Sequence, residues 1–403
     1  MEKLLLKGKN IFTGSSVIDS GYIYFSKGVI KSVGTDSELN TLDLTDVKVI
    51  DIIDQYTIIP GMIDMHIHGA GGADVMDGTT EALDQIVCTV PREGTTSFLA
   101  TTLTERDEFI QAALQNAGEY INSQLPGRAE VLGIHLEGPF ISQEKPGAHS
   151  VEHIVNPDIN KFIEFQKIAQ NHILQVTMAP EISGGIEFAR YLSSNGVIAS
   201  IGHSNAAADI MKKAVEAGVR QVTHLFNAMS PIYHREPGVA GSALLNEKLL
   251  CEVIVDGIHL HPEIVNMIYR LKGKEGMVLV TDAIRAKCLG DGTYSFGNQT
   301  ITVQNGRACL ENGTLAGSTL TMNESIKNTM MYTGCPLEDI IQMTAINPAK
   351  QLNLFQRKGS IEAGKDADLV ILDEKMAVVM TFCRGKLAFH SAKPTDVKHK
   401  YSI

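Results

Sequence analysis

No uninterrupted apolar run in this chain approaches the roughly 20 residues that a bilayer crossing needs, so no membrane span is expected. Residues 1–7 carry too short an apolar stretch, and no small-residue cleavage site, for a secretory signal. They are expected to form a first strand in a cytoplasmic protein. Cysteine is sparse: the six residues at 88, 251, 288, 309, 335 and 383 include no Cys-x-x-Cys pair. That spacing argues against a thiolate zinc site or a disulfide framework, and the thiols are expected to be reduced and packed. Internal repeats and low-complexity tracts are lacking, as is positive charge. Lysine and arginine number 35 against 46 aspartates and glutamates, a formal net charge of −11. This excess opposes non-specific association with nucleic acid, so an anionic ligand must be met by a local basic site.

What is present is an ordinary globular composition, 44% hydrophobic and 20% charged over 403 residues, enough for a sizeable core. Residues 1–58 read as short β-rich runs, such as Tyr22-Ile-Tyr-Phe25 and Val49-Ile-Asp-Ile-Ile53, broken by turns. From 59 to 355 apolar strands alternate with helical stretches. Candidate strands include the run before His66, then Thr96-Ser-Phe-Leu-Ala100, Val131-Leu-Gly-Ile-His135, Leu174-Gln-Val-Thr-Met178 and Val197-Ile-Ala-Ser-Ile201. Gln221-Val-Thr-His224, Leu250-Cys-Glu-Val-Ile-Val255 and Met277-Val-Leu-Val280 complete a set of eight. Helices are expected at 79–92, 107–122, 157–170, 206–217, 262–271, 321–332 and 336–344. Eight βα units predict an α/β fold, a (β/α)8 TIM-type barrel, with a doubly wound open sheet as runner-up. Residues 290–317 read as a hairpin insertion, peripheral or a flap over the site. The tail returns to β character, so residues 1–58 and 356–403 are expected to form a small β-sandwich domain beside the 59–355 barrel.

The chemistry sits where the apolar runs stop. In Ile59-Pro-Gly-Met-Ile-Asp-Met-His-Ile-His-Gly69, His66 and His68 are two residues apart. On a strand, residues i and i+2 share a face, so both rings can reach one ion. Glu137, His203, His224 and Asp282 likewise follow apolar runs, at the strand ends where barrel enzymes place their sites. Imidazole and carboxylate are the ligands of zinc or iron, and one carboxylate can bridge two ions. Each residue taken alone suits a structural hydrogen bond, and Asp282 could simply cap a helix. Six of them repeating at one end of successive strands point to a metal site.

With these motifs the chain resembles the amidohydrolase superfamily and, within it, the N-acetylglucosamine-6-phosphate deacetylases. The resemblance spans nearly the whole sequence. It rests on Pro60-Gly-Met-Ile-Asp-Met-His-Ile-His-Gly69, His135-Leu-Glu-Gly-Pro139, Gly202-His-Ser204, Thr223-His-Leu-Phe-Asn-Ala-Met229, Arg235-Glu-Pro-Gly238, Asp256-Gly-Ile-His259, Thr281-Asp-Ala283 and Leu315-Ala-Gly-Ser318. Glu137 stands where many amidohydrolases place a bridging lysine. Some deacetylases replace the first two histidines with Gln and Asn and hold one ion, so His66 and His68 point to a second position. The resemblance implies one or two divalent ions per subunit, zinc or iron, held by His66, His68, Glu137, His203, His224 and Asp282. It implies Asp282 as the catalytic acid and base of acetamide hydrolysis, releasing acetate and an amino-sugar phosphate.

His259 and Arg235 are implied for the 6-phosphate, with amide groups from Asn227 and Ala228. His149 would hold the sugar or polarise the acetamide carbonyl, and Leu315 would line the pocket. Arg235 would reach across a homodimer interface. His261 competes with His259 for its role by a register shift. The histidines at 135, 153, 172, 234, 390 and 399 are left structural or exposed, although His135 shares strand parity with Glu137. Two other readings stay open: a deaminase or cyclic amidase on the same barrel, and a non-catalytic sugar-phosphate sensor.

Overall fold

The computed structural model describes residues 3–40 and 42–391 in full and 397–400 by backbone alone. Met1 and Glu2 of the expected first strand, and the His399 ring, lie outside the described residues. Eight parallel strands form the central sheet: Met62–Ile67, Thr95–Thr101, Glu130–Glu137, Ile173–Met178, Ile198–Ile201, Gln221–Val222, Leu250–Val253 and Met277–Leu279. Each pairs with the next in chain order. They are the eight apolar runs of the sequence, wound as a barrel with helices outside.

The ring closes through a loop. After the eighth strand, Asp282 N–H donates to the His66 carbonyl at 2.8 Å, and the Ala283 carbonyl accepts from His68 and Gly69 N–H at 2.8 and 3.0 Å. Asp64, wholly buried, ties the same two segments, accepting from His66 N, Thr281 N and Thr281 Oγ1. Barrel closure and the placing of Asp282 are therefore one set of hydrogen bonds.

Several strands end sooner than the apolar pattern suggests. The sixth is paired only over Gln221–Val222 because the chain leaves extended geometry at His224, where φ is 30°. His203 and Asp282 also lie beyond their strands, both at φ 48°. Left-handed backbone is uncommon for residues other than glycine and clusters at functional sites.

The outer helices follow the expected periodicity. In Asp107–Ser123 the buried Ile110, Ala113, Leu114, Ala117 and Tyr120 repeat at helical spacing along the face on the barrel. Two of the outer helices go unread in the sequence, Gly185–Ser194 and Gly238–Leu245. The first opens on a Gly-Gly pair that reads as loop, and the second is small and apolar nearly all round, so it shows no period. The last expected helix runs on from Leu337–Ile341 through a π turn, Gln342–Ile346, into Asn347–Gln351.

The insertion is a three-stranded sheet, Gly292–Phe296, Gln299–Gln304 and Arg307–Leu310, and it is not peripheral. Phe296, Ile301 and Val303 pack with Leu103, Ala148 and Ile284 at the barrel mouth. The thiols also depart from expectation, since Cys88 and Cys288 are exposed, although all six cysteines are unpaired. No helix among the described residues is long and apolar enough to cross a membrane.

Strands from the two ends of the chain share a second sheet. Leu369–Leu372 lies antiparallel to Thr57–Pro60, whose Ile58 pairs in turn with Ile11 of Lys3–Phe12. That sheet folds over one core containing Leu6, Ile23, Ile58, Ile371 and Phe382. The Phe25 and Phe382 rings meet edge-on across it, 5.7 Å apart.

At the barrel floor the fully buried Lys358 joins the two sheets. Its Nζ lies 2.7 Å from Glu130 Oε2 and 3.1 Å from Asp366 Oδ2, and it contacts Asp368 as well. Lys358→Met leaves Glu130 and Asp366 to Arg357, 2.9 Å from each, but takes the cation from buried Asp368, so stability should fall by about 3–5 kcal/mol in urea unfolding. Glu130 begins the third strand and Glu137 ends it, so kcat should hold. An unchanged unfolding midpoint would contradict the assignment.

Candidate metal and active site

All six expected ligands converge at the C-terminal mouth of the barrel, every one buried. His66 lies on the first strand and His68 just past its end, both rings facing Glu137, which closes the third. Glu137 stands between two groups of rings. Its Oε2 lies 3.4 Å from His66 Nε2 and 3.2 Å from His68 Nε2. Its Oε1 lies 3.3 Å from His203 Nε2 and 3.1 Å from His224 Nε2. Asp282 Oδ1 faces the first pair, 3.2 Å from His68 Nε2 and 3.4 Å from His66 Nε2.

The donor set fits divalent cations. His203 Nδ1 faces the Lys145 carbonyl at 3.0 Å and so carries the ring hydrogen. This leaves the Nε2 lone pair 3.0 Å from His224 Nε2 and directed at Glu137. His66 Nε2, fully buried, has no hydrogen-bond partner. The ligand atoms of His66, His68 and Asp282 lie within 4.8 Å of one another. One carboxylate oxygen per histidine pair is the arrangement expected of a bridging ligand.

The electrostatics call for positive charge. Burial disfavours ionised His68, yet Asp282 and Glu137 outweigh it and raise the pKa to about 9. His66 is likewise raised well above the usual imidazole value despite burial, by Glu137 and Asp282. His203 goes the other way, down to about 4, through burial and the neighbouring His149 and His224 rings. Burial pushes the Glu137 and Asp282 carboxyls up, but the imidazoles pull both well below the carboxylate range.

His149 belongs to the cluster in a different capacity. Its Nδ1 accepts the Thr104 backbone N–H at 3.2 Å and lies 2.8 Å from Thr104 Oγ1, so the ring hydrogen is assigned to Nε2. That nitrogen, 3.5 Å from Glu137 Oε2, is a donor aimed into the site and not a lone pair for a metal.

A cavity of about 230 Å³ opens over these groups, and His149, Asn227, Ala228, His259 and Leu315 all line it. Phe296 of the inserted sheet is also in its wall, its ring 6.0 Å from that of His68. His259 is oriented by Asp256, whose Oδ2 lies 2.7 Å from Nδ1. His261 does not line the cavity and caps the helix Pro262–Lys272 by accepting the Glu263 N–H. Arg235 does not line the cavity and lies in the exposed stretch 231–235. A larger cavity, about 860 Å³, opens in the sandwich near Leu4, Ile50 and Phe382, far from any candidate ligand.

Sequence reading passed over Glu252, which sits 3.0 Å from His66 Nδ1; it left His135 structural or exposed, with a strand parity that lets it touch the site. His135 is buried below the site with its ring 4.6 Å from that of His66. The available signal was a charged residue inside the apolar run Leu250-Cys-Glu-Val253.

Residues 57–388 match the profile of the amidohydrolase family. The chain belongs to that family. Among characterised amidohydrolases it is 44% identical to N-acetylglucosamine-6-phosphate deacetylase of Bacillus subtilis (strain 168) over 399 residues, 98% of this chain and 100% of the relative. It is 32% identical to N-acetylgalactosamine-6-phosphate deacetylase of Escherichia coli O157:H7, over 95% of this chain and 99% of that one. A mutant N-acetyl-D-glucosamine-6-phosphate deacetylase from Mycobacterium smegmatis, solved in complex with N-acetyl-D-glucosamine-6-phosphate, superposes with a TM-score of 0.89 at 30% identity. That match covers 96% of this chain and all of the other.

Proposed function

We infer that this amidohydrolase hydrolyses the acetamide of N-acetyl-D-glucosamine 6-phosphate, yielding D-glucosamine 6-phosphate and acetate in amino-sugar catabolism. The observation that carries this reading is Glu137, Asp282 and four imidazoles meeting at one barrel mouth. The substrate comes from the end-to-end 44% identity to a deacetylase. Glu137, His203 and His224 would hold one divalent cation, zinc or iron, and His66 and His68 a second. The bound metal supplies Lewis acidity to the acetamide carbonyl and to the attacking water.

The remaining chemistry falls to side chains. Asp282 takes the proton from the water as it attacks and returns it to the departing amine, so no covalent enzyme intermediate is needed. His149 Nε2–H donates to the acetamide oxygen as negative charge develops there. Also in the cavity wall, His259 and the amide groups of Asn227 and Ala228 receive the 6-phosphate. Arg235, exposed and outside its own cavity, supplies a guanidinium fork to the phosphate in the partner's site of a homodimer. The unpaired thiols suit a cytoplasmic setting.

The test is acetate release by zinc- or iron-loaded protein. N-acetylglucosamine 6-phosphate should be turned over at least tenfold faster, in kcat/KM, than the galacto epimer or unphosphorylated N-acetylglucosamine. A preference for the epimer would move the chain toward its N-acetylgalactosamine relative. Ammonia release from a nucleobase, or ring opening of a hydantoin, would instead mark a deaminase or cyclic amidase. Substrate binding without turnover would mark a sensor.

A further inference from the structure

The interior of a (β/α)8 barrel is ordinarily filled by branched apolar side chains. Here a carboxylate occupies it. Glu252, on the strand Leu250–Val253, is wholly buried and has no lysine or arginine within ion-pairing distance among the described residues. Four nitrogens converge on it instead. Its Oε1 accepts from Gln175 Nε2 at 2.8 Å and Gln221 Nε2 at 2.6 Å. Its Oε2 lies 3.0 Å from His66 Nδ1 and accepts the His224 backbone N–H at 3.3 Å. That is the full complement of a carboxylate, two bonds to each oxygen.

Every contact of Glu252 is one in which it accepts, so the hydrogen it shares with His66 sits on Nδ1. The consequence appears on the far side of the ring. His66 Nε2, free to offer a lone pair once its proton is displaced, faces Glu137 Oε2 and Asp282 Oδ1, and it is one of several buried nitrogens left without a hydrogen-bond partner. The carboxylate is braced from behind, because Gln221 Nε2 also donates to Gln175 Oε1 and Gln351 Nε2 donates to Gln221 Oε1, both at 2.9 Å. His203 contrasts with this, since its Nδ1 meets only a loop carbonyl. A carboxylate behind an imidazole fixes its tautomer and orientation and strengthens it as a ligand.

We propose that Glu252 is a positioning residue that commits His66 to metal binding, so that His66 and His68 form a second cation position distinct in affinity from the one at Glu137, His203 and His224. The proposal rests on the metal-hydrolase reading above. Metal-stripped wild type and Glu252→Gln are titrated with Zn²⁺ against a chromophoric chelator. Wild type should bind two ions per chain. Glu252→Gln should bind one with wild-type affinity and the other roughly 10–100-fold more weakly, the usual effect of removing such a partner. Equal binding by variant and wild type, equal weakening of both positions, or a single ion in wild type overturns the proposal. Wild type binding no ion would sink the metal-hydrolase reading with it. Should the variant not fold, ¹⁵N-histidine NMR of Zn²⁺-loaded wild type decides, since in the metal-free protein Glu137 and Asp282 also hold a proton on the ring. His66 should be the Nδ1–H tautomer, and an Nε2–H ring overturns the assignment.

Discussion

Asp282→Asn is expected to lower kcat for deacetylation by about 10²–10⁴-fold, the range for losing a positioned general acid and base. KM for the sugar phosphate and metal content at the Glu137 position should stay near wild type. The substitution is nearly isosteric, and the loop does not depend on the carboxylate charge. Asp282 N–H is held by the His66 carbonyl, and the Asp282 carbonyl accepts from Ser318 N–H at 2.7 Å. The Asn side chain therefore arrives where Asp was, unable to take a proton. The Asp282 carboxyl is held ionised, since His66 and His68 outweigh burial and pull its pKa well below the carboxylate range, which leaves it free to accept a proton while lowering its basicity. Steady-state kinetics with elemental analysis of the same samples checks this. A kcat within a few-fold of wild type would remove Asp282 from proton transfer, and loss of all metal would recast it as chiefly a ligand.

The parts of this site that were legible in sequence obey strand geometry. His66 and His68 fall on one face because side chains alternate, and Glu137 terminates a run that is buried at every residue but Leu132. His203, His224 and Asp282 were legible as positions but not as conformations. They project into the mouth because the backbone turns left-handed there, which no apolar pattern encodes. Gly238–Leu245 failed for a related reason, since a helix buried on nearly all sides has no polar face to set a period. Glu252 was hidden by the same rule that revealed the ligands. A charged residue within an apolar strand reads as an exception until three nitrogen-bearing side chains from distant parts of the chain, Gln175, Gln221 and His66, are brought around it. The inserted sheet was read as a hairpin, and its placement depends on long-range packing of Phe296 against Ala148 and Leu103.

Removing the charge of Glu137 is expected to cost more activity than any other single change. A carboxylate offers each histidine pair an acceptor oxygen, and Gln can offer an oxygen to only one pair while turning an N–H₂ toward the other. Whichever way the amide sits, both pairs of imidazoles lose the negative charge, one pair faces an N–H₂ as well, and any cation there loses a ligand. Glu137→Gln should therefore fall by on the order of 10⁴-fold or more in kcat/KM, the scale seen when a member of a catalytic unit is removed. The fold should survive. Stranding a fixed buried charge costs about 3–5 kcal/mol, but His66 and His68 can release the protons that Glu137 helps to retain, so less than that is lost. Wild type stripped by exhaustive chelation should drop to the same residual rate, and zinc or iron returned to both should rescue the wild type alone. Deacylation that persists in chelated wild type, or a Glu137→Gln enzyme restored by added metal, would show that the carboxylate between the two histidine pairs is not what holds the reaction's Lewis acid.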